Sequence, residues 1–473
     1  MTTSAADLDT MLQVQRAAFL ADRPEALSKR RDRIERLIAL LVDNGDALAS
    51  AMSEDFGNRA WTQSMVTDVM ATVNFAKYCL GNLKDWSKPS KRKVQFPLGA
   101  LGAKAEVRYE PKGVVGILSP WNFPVNLAFG PLAQVLAAGN RAMLKPSELT
   151  PKTSELMAQL VAGSFAPHEV AVATGGPDVA EAFSKLPFDH IVFTGSTATG
   201  RKVMQAAAEN LVPVTLELGG KSPVLIGRSA DLTRAGERIV TGKMMNAGQI
   251  CLAPDYLLVP EEMEEGVLAA LELAMMDQYP ALSGNDDYAT IVSDDKAERL
   301  REMVADAREK GADVIEIAPG EGTPQGRSLP LTVIRNPTGD MACMKEEIFG
   351  PLLPIKTYAG VDSAIEYING RDRPLALYYF GQDHSERDLV LDRTLSGGVT
   401  VNDVIFHVSA EDLPFGGIGP SGMGAYHGPE GFREFSHARA IYTQPKLDVA
   451  KLAGMKPPYG DRARKVMRFM LRK

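Results

Sequence analysis

"HIVFTGSTATGRKV", residues 190–203, packs three signals into one short stretch. "HIVF" is apolar and β-rich, a turn follows between Gly195 and Gly200, and a helical window then opens. A strand that runs through a glycine turn into a helix is the unit from which open parallel α/β sheets are built. Backbone N–H groups and the helix dipole at such a turn both favour an anion. The spacing is not that of the phosphate loop, because Arg201 and Lys202 stand where Lys and Ser or Thr would be needed. Nor is it the G-x-G-x-x-G dinucleotide fingerprint. From these residues alone, a phosphate cradle and a plain tight turn both stay open.

The same texture extends outward. Before this stretch lie "GVVGILS", "RAMLK" and "EVAVAT", separated by the helical windows "LAFGPLAQVLAAGN" and "TSELMAQLVAGSFA". After it come "PVTLELGGKSPVLIG", "DYLLVP", "DVIEIA", "SLPLTVI", "LLPIKTYA" and "GVTVN", with helical windows between several of them. Strands alternating with helices predict two parallel α/β domains, joined near residue 217. The first ninety residues read as helical, with Ile34, Leu37, Leu40 and Leu41 on one face and Gly57 as a stop signal. Residues 87–113, "SKPSKRKVQFPLGALGAKAEVRYEPKG", break the pattern and predict a protruding hairpin, with two short strands between Val94 and Tyr109.

A chain of 473 residues with 45% hydrophobic content buries large cores without staples. Its three cysteines, Cys79, Cys251 and Cys343, are odd in number and show no CxxC spacing. That predicts neither a disulfide framework nor a zinc site, and suggests a reducing, cytoplasmic setting. A net charge of −7 argues against nucleic acid as a partner. No signal peptide and no membrane-spanning run is expected.

Six residues carry candidate chemistry. "MNAGQICLAP", residues 245–254, sets Cys251 on an irregular segment, where it reads as a buried small hydrophobe or as a nucleophile. "SPWNFP" puts Asn122 after a strand, where its amide suits an oxyanion or an ordinary turn. "LKPSELTP" places Lys145 and Glu148 at another strand end, as a ribose site or a solvated pair. Glu217 in "LELGGKSP" is a carboxylate within an apolar strand, costly unless paired or functional. Glu347 in "EEIFGP" reads by itself as part of a turn.

In order, "PWNFP", "KPSELTP", "FTGSTATG", "LELGGKSP", "GQIC", "EEIFGP" and "LPFGGIGPSG" resemble the aldehyde dehydrogenase superfamily. Glu217 and Cys251 also lie 34 residues apart, the separation that family uses. The resemblance implies two Rossmann-like open-sheet domains and a β-rich oligomerisation arm. It divides the chain into an NAD-binding domain (residues 1–88 and 110–214), a catalytic domain (215–402), an arm with a C-terminal strand (89–109 and 403–446) and a tail (447–473). It implies Cys251 as nucleophile, Asn122 as oxyanion donor and Glu217 as general base. It assigns Lys145 and Glu148 to the adenosine ribose and the turn from Gly195 to Gly200 to the pyrophosphate. Glu347 falls to the nicotinamide ribose, with Trp121, Ser196, Leu218 and Phe349 also on the cofactor. No metal is implied. Glu148 would meet a 2′-phosphate with like charge, so NAD is expected over NADP.

The C-terminal part resembles class 3 members, and other segments are similar to bacterial coniferyl aldehyde dehydrogenases. A bulky apolar aldehyde, aromatic or medium-to-long aliphatic, is the implied substrate. Tyr78, Trp61 and Phe406 read equally as tunnel or as core, and His427 receives no catalytic role. The resemblance implies a homodimer, with the hairpin joined by a late strand at residues 438–445. The basic tail is too short to span a membrane and reads as a terminal helix, with contact to anionic lipid left open. The rival readings are acyl transfer to coenzyme A, against which Glu217 argues, and a non-catalytic protein on this fold.

Overall fold

The computed structural model describes residues 2–321 and 325–471. In chain order, the first strands are β1 (Ser90–Arg92), β2 (Lys104–Pro111), β3 (Val114–Leu118), β4 (Arg141–Lys145) and β5 (Val170–Val172). Next come β6 (His190–Gly195), β7 (Val214–Leu218), β8 (Pro223–Ile226), β9 (Tyr256–Pro260) and β10 (Asp313–Ile317). The last are β11 (Leu331–Arg335), β12 (Leu352–Tyr358), β13 (Ala376–Phe380), β14 (Gly398–Val401), β15 (Gly422–Met423) and β16 (Ser436–Thr443). They form three sheets, ordered β15-β7-β6-β3-β4-β5, β10-β11-β12-β9-β8-β13-β14 and β1-β2-β16. The first two are parallel except for their edge strands β15 and β10, and the third is antiparallel. This is the expected α/β class.

The central strands explain the continuous apolar runs. Every residue of β3 and β4 is buried, as helices on both faces of a parallel sheet require. The helix Leu27–Asp43 presents Ile34, Leu37 and Leu41 to the core. A second helix, Gly45–Phe56, ends where Gly57 takes φ +86°, a left-handed cap that favours glycine.

Several expected boundaries move. The cut at residue 215 falls inside β7, which pairs with β6 and belongs wholly to the first sheet. Residues 403–446 are not all arm: β15 pairs with β7, and the helix Gly428–Glu434 packs on the helix Asn126–Ala138 of the first domain. The arm strands are β1 and β2, lying outside the "PLGALG" turn on both sides, and the late strand β16 begins two residues before the expected 438. The buried strand β13 was not among the expected runs, although Asn369, Gly370 and Pro374 precede it. The tail holds a helix, Asp461–Met470; Arg472 and Lys473 lie outside the described residues. Among the described residues, no helix is long and apolar enough to cross a membrane.

The two large sheets meet at opposite strand ends. β3, β6 and β7 deliver Asn122, Ser196 and Gly219 from their carboxyl ends, where open α/β sheets bind ligands. β9 and β12 are entered from segments that carry Cys251 and Glu347.

Candidate active site

A cleft of about 800 Å³ lies between these ends. Asn122, Glu217 and Cys251 line it together, as do Trp121, Gly195, Ser196, Leu218, Glu347 and Phe349. Lys145, Glu148 and Gly200 are not part of that lining. Lys145, buried at the end of β4, donates to the carbonyl of Pro146 at 2.9 Å and pairs with the more exposed Glu148 at 3.1 Å. Gly200 serves packing: a Cβ there would stand 2.6 Å from Leu218 Cδ2, so its absence lets the helix Thr197–Ala208 close on β7. Ser196 caps that helix, its hydroxyl accepting from the Thr199 N–H at 3.2 Å. Tyr78, Trp61 and Phe406 lie off the cleft. Tyr78 bonds Asp412, Trp61 Nε1 donates to Asp46 at 2.9 Å, and Phe406 is exposed. His427 is buried against Phe75, Phe415 and Tyr426.

Cys251 follows a loop in strained backbone. Asn246, Ala247 and Gly248 have φ of +50°, +52° and +74°. Two of the three are not glycine, and such conformations persist only when neighbours over-determine them. Side-chain amides do so here. Asn246 Nδ2 donates to the carbonyls of Asn122 (3.0 Å) and Gln249 (3.2 Å). Gln249 Nε2 donates to Asn246 (2.9 Å) and Thr290 (3.1 Å), and its Oε1 accepts from the Val292 N–H (2.9 Å). Asn122 Nδ2 donates to the Gln249 carbonyl at 3.1 Å. That uses one N–H and leaves the second for a ligand. Sequence reasoning named Asn122 but missed Asn246 and Gln249, although both stand within the "MNAGQIC" stretch.

The acidic groups of the cleft are under strong desolvation. Glu217 is buried, neither carboxyl oxygen has a partner, and its pKa is raised well above 4.5 by burial and then by Glu434. Glu347 Oε1 is also buried without a partner, and burial with the charge on Asp255 lifts its pKa to about 8. Burial, then the nearby Glu347 and Glu217, push the Cys251 thiol up to about 12. Cys251 therefore rests as the thiol at pH 7, and burial favours the neutral carboxyl of Glu217.

The cleft fits a dinucleotide. Arg201, Lys296, Lys345 and Arg373 line it, and none of the four is in a salt bridge with a described residue. Unpaired cations beside a helix start suit a pyrophosphate. The orphaned Glu347 oxygen is an acceptor suited to sugar hydroxyls. Trp121 and Phe349 approach edge-on at 5.4 Å, one from each domain. Among the described residues, no group of three His, Cys, Asp or Glu side chains stands ready to hold a metal ion.

Comparison with known proteins agrees with this geometry. Residues 1–441 match the model of the Aldehyde dehydrogenase family. A Caulobacter vibrioides protein named "Probable coniferyl aldehyde dehydrogenase" is 53% identical over 470 residues, covering 98% of this chain and 97% of that one. A solved structure of Staphylococcus aureus AldH in a substrate-bound state superposes with a TM-score of 0.91 at 34% identity, covering 98% and 99% of the two chains. At 25% identity and a TM-score of 0.85, so does a P. syringae indole-3-acetaldehyde dehydrogenase mutant in complex with NAD+ and IAA, over 94% of this chain and 90% of that one.

Proposed function

This chain belongs to the aldehyde dehydrogenase family of oxidoreductases, and on that premise we propose that it oxidises a bulky apolar aldehyde of the coniferyl type to the carboxylic acid through a thioester on Cys251. The family uses NAD or NADP. One observation carries the reading: a thiol, a side-chain amide with an N–H to spare and an unpartnered buried carboxyl face the same cleft.

Cys251 Sγ attacks the aldehyde carbon, and its proton leaves to solvent, directly or through the ionised form of Glu217, which is thereby restored as a carboxylate. The carbonyl oxygen becomes an oxyanion, which the free N–H of Asn122 and the backbone N–H of Cys251 stabilise. The nicotinamide, when bound, supplies the hydride acceptor. Loss of hydride leaves an acyl group on Cys251. Glu217 then takes a proton from water, whose oxygen attacks the acyl carbon; the acid departs and the thiol is restored. Because burial raises the pKa of Glu217 and holds Cys251 as the thiol near neutral pH, turnover should climb as pH rises above neutral.

Glu347 would hold the nicotinamide ribose and the unpaired cations the pyrophosphate. Lys145 and Glu148 would take the adenosine ribose, with Trp121, Ser196, Leu218 and Phe349 along the cofactor's path. Glu148 already engages Lys145, so a 2′-phosphate would compete for that ammonium and meet like charge. NAD is therefore the preferred acceptor. NADH formation, followed by absorbance over a panel of coniferyl, benzyl and long-chain aldehydes, tests the proposal. Activity only with added coenzyme A would overturn hydrolysis as the second step.

The active protein is proposed to be a homodimer of the cytoplasm, where free Cys79, Cys251 and Cys343 stay reduced. The arm sheet leaves β16 mostly exposed, with Phe96 and Tyr442 bare, and an open edge of this kind needs a cover. A monomeric mass by light scattering for the active protein would refute the dimer.

A further inference from the structure

Neither loop of the cleft is held by its own domain alone. Residues 59–68 run between the helices Gly45–Phe56 and Ala71–Trp86 and enter a wide π-helical turn, Met65–Met70. Such turns recur at functional sites. This segment touches both loops. Gln63 Oε1 accepts from the Asn246 N–H at 3.1 Å, and Gln63 Nε2 donates to Asn246 Oδ1 at 3.2 Å. Asn246 is the first left-handed residue of the cysteine loop, and its own amide reaches the Asn122 carbonyl.

Five residues on, Asp68 Oδ1 accepts from the backbone N–H groups of Val125 and Asn126, at 3.2 Å each. These begin the helix that follows Asn122. Asn126 Nδ2 also donates to the Thr67 carbonyl at 2.8 Å. The second oxygen of Asp68 pairs with Arg59 at 2.7 Å, both fully buried. The Arg59 guanidinium lies 5.0 Å from the Phe56 ring and 5.2 Å from that of Phe123, the neighbour of Asn122. A buried ion pair is often no more stabilising than apolar residues of the same volume. Its distinctive effect here is directional: a fixed acceptor at one helix start and a flat cation against Phe123.

We infer that residues 59–68 register the Asn122 amide against Cys251, with Gln63 acting on the cysteine loop and Asp68 on the asparagine loop as positioning residues. This rests on the roles proposed for Cys251 and Asn122. Gln63 and Asp68 touch no reacting atom; they act through Asn246 and through the helix start. Loss of either contact lets the two loops drift, and a displacement of about 1 Å can cost on the order of a hundredfold in rate.

The test uses the full-length protein with coniferyl aldehyde and NAD. Gln63→Leu, which removes both bonds to Asn246, should lower kcat about tenfold or more. NAD affinity, read from quenching of protein fluorescence, should stay within about twofold, because Gln63 lies outside the cleft lining. The pre-steady-state NADH burst should slow together with turnover, since both half-reactions form an oxyanion. Gln63→Glu keeps the acceptor for the Asn246 N–H and should recover part of kcat. Full kcat in Gln63→Leu, or equal losses of kcat and NAD affinity, would overturn the inference. If Gln63→Leu does not fold, Gln63→Glu decides: a reduced kcat at unchanged NAD affinity supports it and a parental kcat refutes it. Cys251→Ser is run in parallel, so that surviving turnover there marks failure of the thioester reading instead.

Discussion

Two buried polar regions lie side by side in this molecule and are built on opposite rules. In the segment at residues 59–68, Arg59 and Asp68 are wholly enclosed, and each charge has its counter-charge. In the cleft, Glu217 is buried and Glu347 partly so, and both leave buried carboxyl oxygens without partners. Buried polar groups in folded proteins are nearly always satisfied, so the exceptions need a reason. The paired charges of Arg59 and Asp68 hold backbone in place; the unpartnered carboxyls of the cleft wait for substrate, water and cofactor. Variants that move a residue from one rule to the other should separate stability from activity.

The largest effect falls on the cleft. Cys251→Ser should reduce aldehyde oxidation by about 10⁴-fold or more, because a hydroxyl is a far weaker nucleophile near neutral pH. Far-ultraviolet circular dichroism and NAD binding should match the parent. Near-parental turnover in the serine variant would end the covalent mechanism.

Asp68→Asn should act mainly on stability. It leaves the Arg59 guanidinium buried without its counter-charge, a loss of about 3–5 kcal/mol. Urea unfolding should show the midpoint falling accordingly. An unchanged midpoint would mean that the pair carries no such constraint, and the contrast between the two regions would collapse.

Glu217→Gln should do the reverse. Turnover should fall about a hundredfold, near 3 kcal/mol of barrier, while a burst of NADH persists because acylation outruns hydrolysis. Stability should rise at neutral pH. The folded carboxyl titrates well above its unfolded value of 4.5, so the unfolded chain loses its proton first as pH increases. The group's contribution is fully present below pH 4.5 and is lost as pH rises through the raised value. The glutamine variant escapes that loss. Its melting temperature should exceed the parent's at pH 8 and match it at pH 4. Equal melting temperatures at both pH values would show Glu217 to be satisfied after all.

The smallest effect tests the margin between the regions, where Glu148 pairs with Lys145 but stays open to solvent. Glu148→Gln should raise NADP affinity a few-fold, under about 1 kcal/mol, because an exposed pair contributes little. Coenzyme constants that do not change would place Glu148 away from the ribose.

The fold was legible because its signals are local. The runs at β3, β4 and β6 are short, apolar and bounded by turns, and a parallel sheet buried on both faces demands that pattern. β13 was missed although Asn369, Gly370 and Pro374 precede "ALYYF" and Gly381 follows it. The first arm strand falls at residues 90–92 rather than from Val94, while the second agrees with β2. Cys251, Glu217 and Asn122 could be named from "GQIC", "LELGGKSP" and "SPWNFP", and they do share one cleft. Gln63 could not be named, since no spacing links it to Asn246, 183 residues away.

The sequence by itself determined the α/β class, the family and the identity of the groups that face the cleft. Those follow from period, turn chemistry and ordered motifs, which short stretches of chain carry. Only the tertiary structure decided the raised pKa values of Glu217 and Cys251, the capture of Glu148 by Lys145, the packing role of Gly200 and the contacts of Gln63 and Asp68. Each of these depends on burial or on partners distant in the chain or set by its three-dimensional path, and desolvation exists only once the two sheets have closed on the cleft.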